Sequence, residues 1–222
     1  MSEYLANERR LNLKVVYYGP ALSGKTTNLM QLHSLLRPQR KGELMVLETR
    51  DDRTLFFDLL PIGLRSAKGL DIRLKLYTVP GQVQHDSTRK AVLSRADAIV
   101  FVADSVLSQQ ENNAIAFDNL ADNLAKVGMN IEQIPLVLQF NKRDAKPVVP
   151  EEEIFSRWSA TPWADVALAS ALNGVGVLET FRSVLGKLYV SLNSEFGLAQ
   201  QEGIDQQAFL NGLTSQEDKE NA

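Results

Sequence analysis

The sequence predicts an α/β domain with a mainly parallel central sheet flanked by helices. Two observations carry this. Short runs rich in β-branched and aliphatic residues alternate with stretches of helical periodicity along most of the 222 residues, the pattern of successive βαβ units. Gly19-Pro20-Ala21-Leu22-Ser23-Gly24-Lys25-Thr26 fits G-x-x-x-x-G-K-[ST] and lies between the first strand-like run and the first helical one, the context a phosphate-binding loop requires.

Taken in order, residues 11–18 are β-branched, aromatic and aliphatic and end at Gly19-Pro20, so they read as a strand running into a turn. Leu29, Leu32, Leu35 and Leu36 follow at helical spacing. Strand-like runs recur at 72–79, 98–103, 135–140 and 166–169, separated by helical stretches near 86–95, 110–127 and 150–158. Val177, Leu178, Phe181, Val184, Leu185, Leu188 and Leu192 repeat every three or four residues, which gives a last helix one face to lay on the sheet. Residues 1–195 are expected to form one domain. Residues 196–222, dominated by Gln, Glu, Asn and Ser, are expected to be a polar, flexible tail in which Phe209, Leu210 and Leu213 form at most one amphipathic turn.

Composition narrows the class further. At 44% hydrophobic the chain supports one sizeable core. The absence of cysteine excludes a disulfide framework, a thiol catalyst, a zinc-thiolate site and a prenyl or palmitoyl anchor on sulfur. The amino-terminal ten residues lack the apolar stretch of an export signal, and Ser2 stands where myristoylation needs glycine. The longest apolar runs are far shorter than the ~20 residues that span a bilayer. These features predict a cytoplasmic protein without a direct membrane anchor. The net charge is −3, and residues 202–222 hold five carboxylates against one lysine, a local −4, which leaves +1 on the body. Such a body offers no electrostatic footprint for nucleic acid.

In the phosphate loop, Gly19 and Gly24 let the backbone bend around an anion, and the amides of Ala21, Leu22, Ser23, Gly24, Lys25, Thr26 and Thr27 gather at a helix start, where the dipole favours phosphate. Lys25 is placed to bridge β- and γ-phosphates, and Thr26 offers a hydroxyl to Mg²⁺, a hard cation that takes oxygen ligands. This much defines a nucleoside triphosphate site and leaves the base open.

Asn141-Lys142-Arg143-Asp144 follows the strand-like run 135–140 and matches N-K-x-D, which resembles the guanine-reading loop of Ras-like GTPases. A carboxylate at Asp144 accepts from guanine N1–H and its exocyclic amine together, whereas adenine presents no such pair of donors. Lys142 is expected to lay its stem over the base and Asn141 to tie neighbouring loops. Ser170-Ala171-Leu172 resembles the supporting S-A-x element of the same proteins, with the Ala171 amide near the guanine carbonyl.

Tyr77-Thr78-Val79-Pro80-Gly81-Gln82 ends a strand where Ras-like proteins carry D-x-x-G-Q, with Thr78 in place of the aspartate. Together with Gly19-Pro20, the stretch from Asp52-Arg53-Thr54 to Pro61, and Asn141 to Asp144, this closely resembles the bacterial MglA family of polarity GTPases, over roughly residues 11–193. The resemblance implies a Ras-like P-loop G domain over 1–195 that cycles between GTP and GDP with Mg²⁺. Gly81 can present its amide to the γ-phosphate and Gln82 can orient the attacking water, as glutamine does in the general GTPase template. The resemblance points to Arg53 as an arginine finger supplied in cis and to Thr54 as a sensor of Mg²⁺ and γ-phosphate; Thr78 can hold a metal-bound water. It also implies a chain that is monomeric alone, a Roadblock-type (MglB-like) homodimer as GTPase activator, effectors that read the GTP state in polarity or motility, and recruitment to cell poles through partners.

Other readings stay open at this level. A scaffold that binds nucleotide without turnover is raised by Thr78, while Lys25, Thr26, Thr54 and Gln82 oppose it. A P-loop ATPase is opposed by the Asn141 to Asp144 element. Arg50 lies close to Arg53 in sequence; Asp52 and Asp58 serve equally as loop caps or as water-mediated contacts to metal. His33 and His85 have no partner pattern for metal, and Trp158 and Trp163 are expected to pack.

Overall fold

The computed structural model describes residues 3–38, 41–47, 57–80, 86–163 and 165–215. Strands β1 (Glu3–Leu5), β2 (Arg10–Tyr18), β3 (Met45–Leu47), β4 (Phe57–Arg65), β5 (Asp71–Thr78), β6 (Ala98–Asp104), β7 (Leu136–Asn141) and β8 (Val166–Leu168) share one sheet. Its order is β3-β4-β5-β2-β6-β7-β8, with β1 paired to β2. β2 runs parallel to β5 and β6, and β7 parallel to β6 and β8. The β3–β4, β4–β5 and β1–β2 pairs are antiparallel. β1 pairs with Arg10 to Asn12, below the point where β6 begins its pairing at Val15.

Helices α1 (Lys25–Leu35), α2 (Asp86–Leu93), α3 (Gln110–Lys126), α4 (Glu151–Trp158), α5 (Val177–Phe196) and α6 (Gln206–Thr214) complete the architecture. The central strands are buried on both faces. Along β2, Leu11, Leu13, Val15 and Tyr17 enter one core with α1, α5 and α6, while Val16 and Tyr18 enter a second one with α2 and α3. Along β6, Ala98, Val100 and Val102 face the first core, and Ile99, Phe101 and Ala103 face the second. This is why 98–103 reads as an unbroken apolar run: a parallel strand covered by helices has no polar face. Trp158 and Trp163 pack edge-on to Phe117, with ring centres 5.4 and 5.1 Å away.

Two stretches differ from the sequence expectation. Residues 57–65, which are not among the strand-like runs read from the sequence, form β4, although Pro61 and Gly63 break the usual strand signal. Pro61 still pairs through its carbonyl, which accepts from the Gly42 amide at 2.9 Å. The tail expected to be flexible from residue 196 is instead folded through Thr214: a π-helical turn at Leu198–Glu202 leads to α6. Leu198, Ile204, Phe209 and Leu213 are buried against the first core, and Asp205 caps α6 by accepting from the Ala208 amide at 2.7 Å. Few apolar residues suffice, because they dock on a surface that already exists.

Candidate functional site

The candidate site gathers at the carboxyl ends of β2, β7 and β8, where the loops of a parallel sheet converge. β2 delivers the chain into Gly19–Thr26, and α1 starts at Lys25 directly after Gly24. Gly19 and Gly24 have φ of 144° and 96°. A Cβ on Gly19 would stand 2.2 Å from the Val102 carbonyl oxygen, and one on Gly24 would stand 2.2 Å from the Asn141 amide nitrogen. No side chain fits either place.

Lys25 is buried, and its Nζ donates to the carbonyls of Gly19 at 3.1 Å and Pro20 at 2.6 Å, curled over the loop it follows. Ser23 is fully buried, and its Oγ meets no hydrogen-bond partner. Leu22 lies in the left-handed region with φ 61° and is 87% exposed. Ala21 and Thr26 are exposed at the mouth, with Thr27 half-buried beside them. The glycine cradle, the start of α1 and the buried ammonium suit an anion.

Asn141 joins three loops. Its Nδ2 donates to the Ser23 carbonyl at 2.8 Å, and its Oδ1 accepts from the Ala171 amide at 2.8 Å. That second bond modifies one expectation: the Ala171 amide, read as facing a guanine carbonyl, is engaged by Asn141, because Asn141 must brace two loops from one side chain. Ser170 Oγ donates to Asp144 Oδ1 at 2.5 Å, so the 170–172 loop also holds the carboxylate. Lys142, at φ 65°, donates from Nζ to Asp104 Oδ2 at 2.7 Å. Leu172 is 71% exposed, and its carbonyl accepts from Gln31 Nε2 at 3.3 Å. Thr78 is buried at the end of β5. Arg53, Thr54, Gly81 and Gln82 lie outside the described residues, as do Arg50, Asp52 and His85.

The structure adds residues that the motifs did not single out. Asp104, at the end of β6, holds Lys142 and is itself fixed by the Val106 amide at 3.0 Å. Beneath the phosphate loop runs a buried polar chain. Asn28 donates to the Gly24 carbonyl at 2.9 Å and accepts from Gln139 Nε2 at 2.9 Å, and the same Gln139 nitrogen donates to Thr180 Oγ1 at 2.9 Å. Asn28 and Gln139 break otherwise apolar periodicities, which is the one signal the sequence holds for them.

No family model matches the chain. The chain is 44% identical over 178 residues to the Mutual gliding-motility protein MglA of Myxococcus xanthus (strain DK1622), a match covering 80% of this chain and 91% of that one. The chain belongs to the MglA family of small Ras-like GTPases. It binds nucleotide and is a GTP hydrolase. Membership agrees with the sheet, in which β5, β2, β6, β7 and β8 run parallel and the antiparallel strands β3 and β4 extend one edge. Among the described residues of this MglA-type GTPase, no helix is long and apolar enough to cross a membrane.

Proposed function

We propose that this GTPase is a guanine-specific molecular switch in cell polarity or gliding motility, cycling between GTP and GDP with Mg²⁺. The observation that carries the guanine reading is the brace around Asp144, in which Ser170 holds the carboxylate and Asn141 ties its loop to the phosphate loop. A site built around a hydrogen bond to its substrate rejects an analogue that cannot make that bond by about 10⁴ to 10⁵. The relative's name supplies the motility setting.

In this reading the amides from Ala21 to Thr27 and the Lys25 ammonium, released from the Gly19 and Pro20 carbonyls, hold the phosphates. Asn141, Lys142 and Asp144 read the base, supported by Ser170, Ala171 and Leu172. Mg²⁺ needs only one or two protein oxygens besides phosphate and water, which suits the exposed Thr26 hydroxyl, Thr54, and Thr78 acting through water. When bound, the metal supplies charge neutralisation at the phosphates. Gly81 offers an amide to the γ-phosphate, Gln82 orients the attacking water, and Arg53 neutralises charge that develops during transfer, an effect worth about 10³ to 10⁵ in rate for arginine fingers. A Roadblock-type (MglB-like) homodimer activates hydrolysis, and effectors read the GTP state of a cytoplasmic protein recruited to the poles by its partners.

The test is single-turnover GTP cleavage by Arg53→Ala with the Roadblock-type partner present. GTP binding is expected within a few-fold of the parent while cleavage falls by about 10³. Cleavage at the parent rate would eliminate the finger.

A further inference from the structure

Arg89, the fourth residue of α2, is 1% exposed and ranks among the largest fully buried side chains of the described residues. A guanidinium taken out of water is tolerated only when its donors are satisfied. Here Nε and NH1 reach β2, α3 and the chain just past β5. Nε donates to the Pro80 carbonyl at 2.9 Å, NH1 donates to Asn119 Oδ1 of α3 at 2.6 Å and lies 3.5 Å from the Tyr18 hydroxyl of β2, and the group sits 5.5 Å from the centre of the Tyr18 ring.

The partners are themselves locked. Asn119 Oδ1 also accepts from Tyr18 Oη at 2.6 Å and from Asn123 Nδ2 at 3.1 Å, and Asn123 donates to Tyr18 Oη at 3.3 Å. The guanidinium therefore reaches from a fixed point on α3 and β2 to the carbonyl of Pro80, the residue peptide-bonded to Gly81. Fork geometry matters: an arginine holds the carbonyl from Nε and the asparagine from NH1, two nitrogens set apart in a rigid plane, where a lysine offers one point-like ammonium.

We propose that Arg89 is a positioning residue for GTP hydrolysis, anchored by Asn119 and Tyr18, and that through the Pro80 carbonyl it fixes the chain directly before Gly81 and Gln82. The role rests on the reading of Gly81 and Gln82 as the hydrolytic segment. A displacement of about 1 Å at a reacting group costs on the order of 10²-fold in rate, so removing the anchor affects cleavage much more than nucleotide binding.

The experiment compares single-turnover GTP cleavage and GDP affinity across Asn119→Leu, Asn119→Asp, Gln82→Leu and the double variant Gln82→Leu/Asn119→Leu, each in the full chain and checked for folding by thermal melting. Asn119→Leu is expected to cleave at least tenfold more slowly with GDP affinity within twofold of the parent. Asn119→Asp, which keeps the acceptor, is expected to cleave at nearly the parent rate. The double variant is expected to be no slower than Gln82→Leu, because both changes disable one device. Parent-like cleavage by Asn119→Leu, an equal loss of GDP affinity, or independent multiplication of the two effects overturns the proposal. Should Asn119→Leu not fold, Arg89→Lys carries the same comparison, with a tenfold loss supporting the anchor and a parent-like rate refuting it. Gln82→Leu cleaving at the parent rate would refute the glutamine's role alone, while Asn119→Leu still reads the anchor.

Discussion

Gly24 shows how much function hangs on one missing side chain. Its left-handed backbone and the 2.2 Å approach of the Asn141 nitrogen leave no place for a Cβ, so Gly24→Ala has to push Asn141 away from both loops it braces. Nucleotide affinity is expected to fall at least about tenfold, the cost of roughly one lost hydrogen bond to a buried group, as read by titration with a fluorescent GDP. Tyr17 lies at the opposite extreme. Its hydroxyl is buried, has no hydrogen-bond partner, and burial pushes its titration well above the usual phenol range. Tyr17→Phe removes a desolvated polar group and leaves the ring, so stability is expected to be unchanged or higher by about 1 kcal/mol in chemical denaturation. The motif residues were legible in the sequence because the phosphate loop and the Asn141 to Asp144 element combine rare residue types at fixed spacing. Asn28, Asp104 and Gln139 were not, since their value depends on which loop the fold sets above each of them.

At the scale of elements, the helices and the central parallel strands could be read from periodicity, because each buries a continuous apolar surface. β4 was hidden by Pro61 and Gly63, and Pro61 fits because the facing residue is Gly42, where a Cβ would stand 2.7 Å from the proline ring. The end of the chain was misread for a related reason: Phe209 and Leu213 are too few to hold a helix alone, and only the preformed surface beside Tyr189 and Leu64 makes them sufficient. The signal that favoured a helix was Asp205, three residues ahead of Ala208. Phe209 is fully buried, with its ring 5.5 Å from that of Tyr189. Phe209→Ala is expected to lower stability by about 3 to 5 kcal/mol, visible as a lower melting temperature. An unchanged melt would mean that α6 adds nothing to the core.

At the scale of the whole molecule, a two-sided core holds the sheet still while the loops at its carboxyl ends carry the chemistry. Thr78 stands buried at the end of β5 where Ras-like proteins carry an aspartate, and in the proposed reading Thr26, water and phosphate would hold the metal. The guanine reading belongs to this scale, because it needs β2, β7 and β8 to bring three loops together. Asp144→Asn replaces an acceptor by a group that also donates, and is expected to cost about 10⁴-fold in preference for guanine nucleotide. The most direct test is multiple-turnover hydrolysis by the unaltered chain of GTP and of ATP, each with and without the Roadblock-type partner. GTP turnover accelerated by the partner, with ATP untouched, is the predicted result; equal turnover of both nucleotides, or none of GTP in either condition, would contradict it.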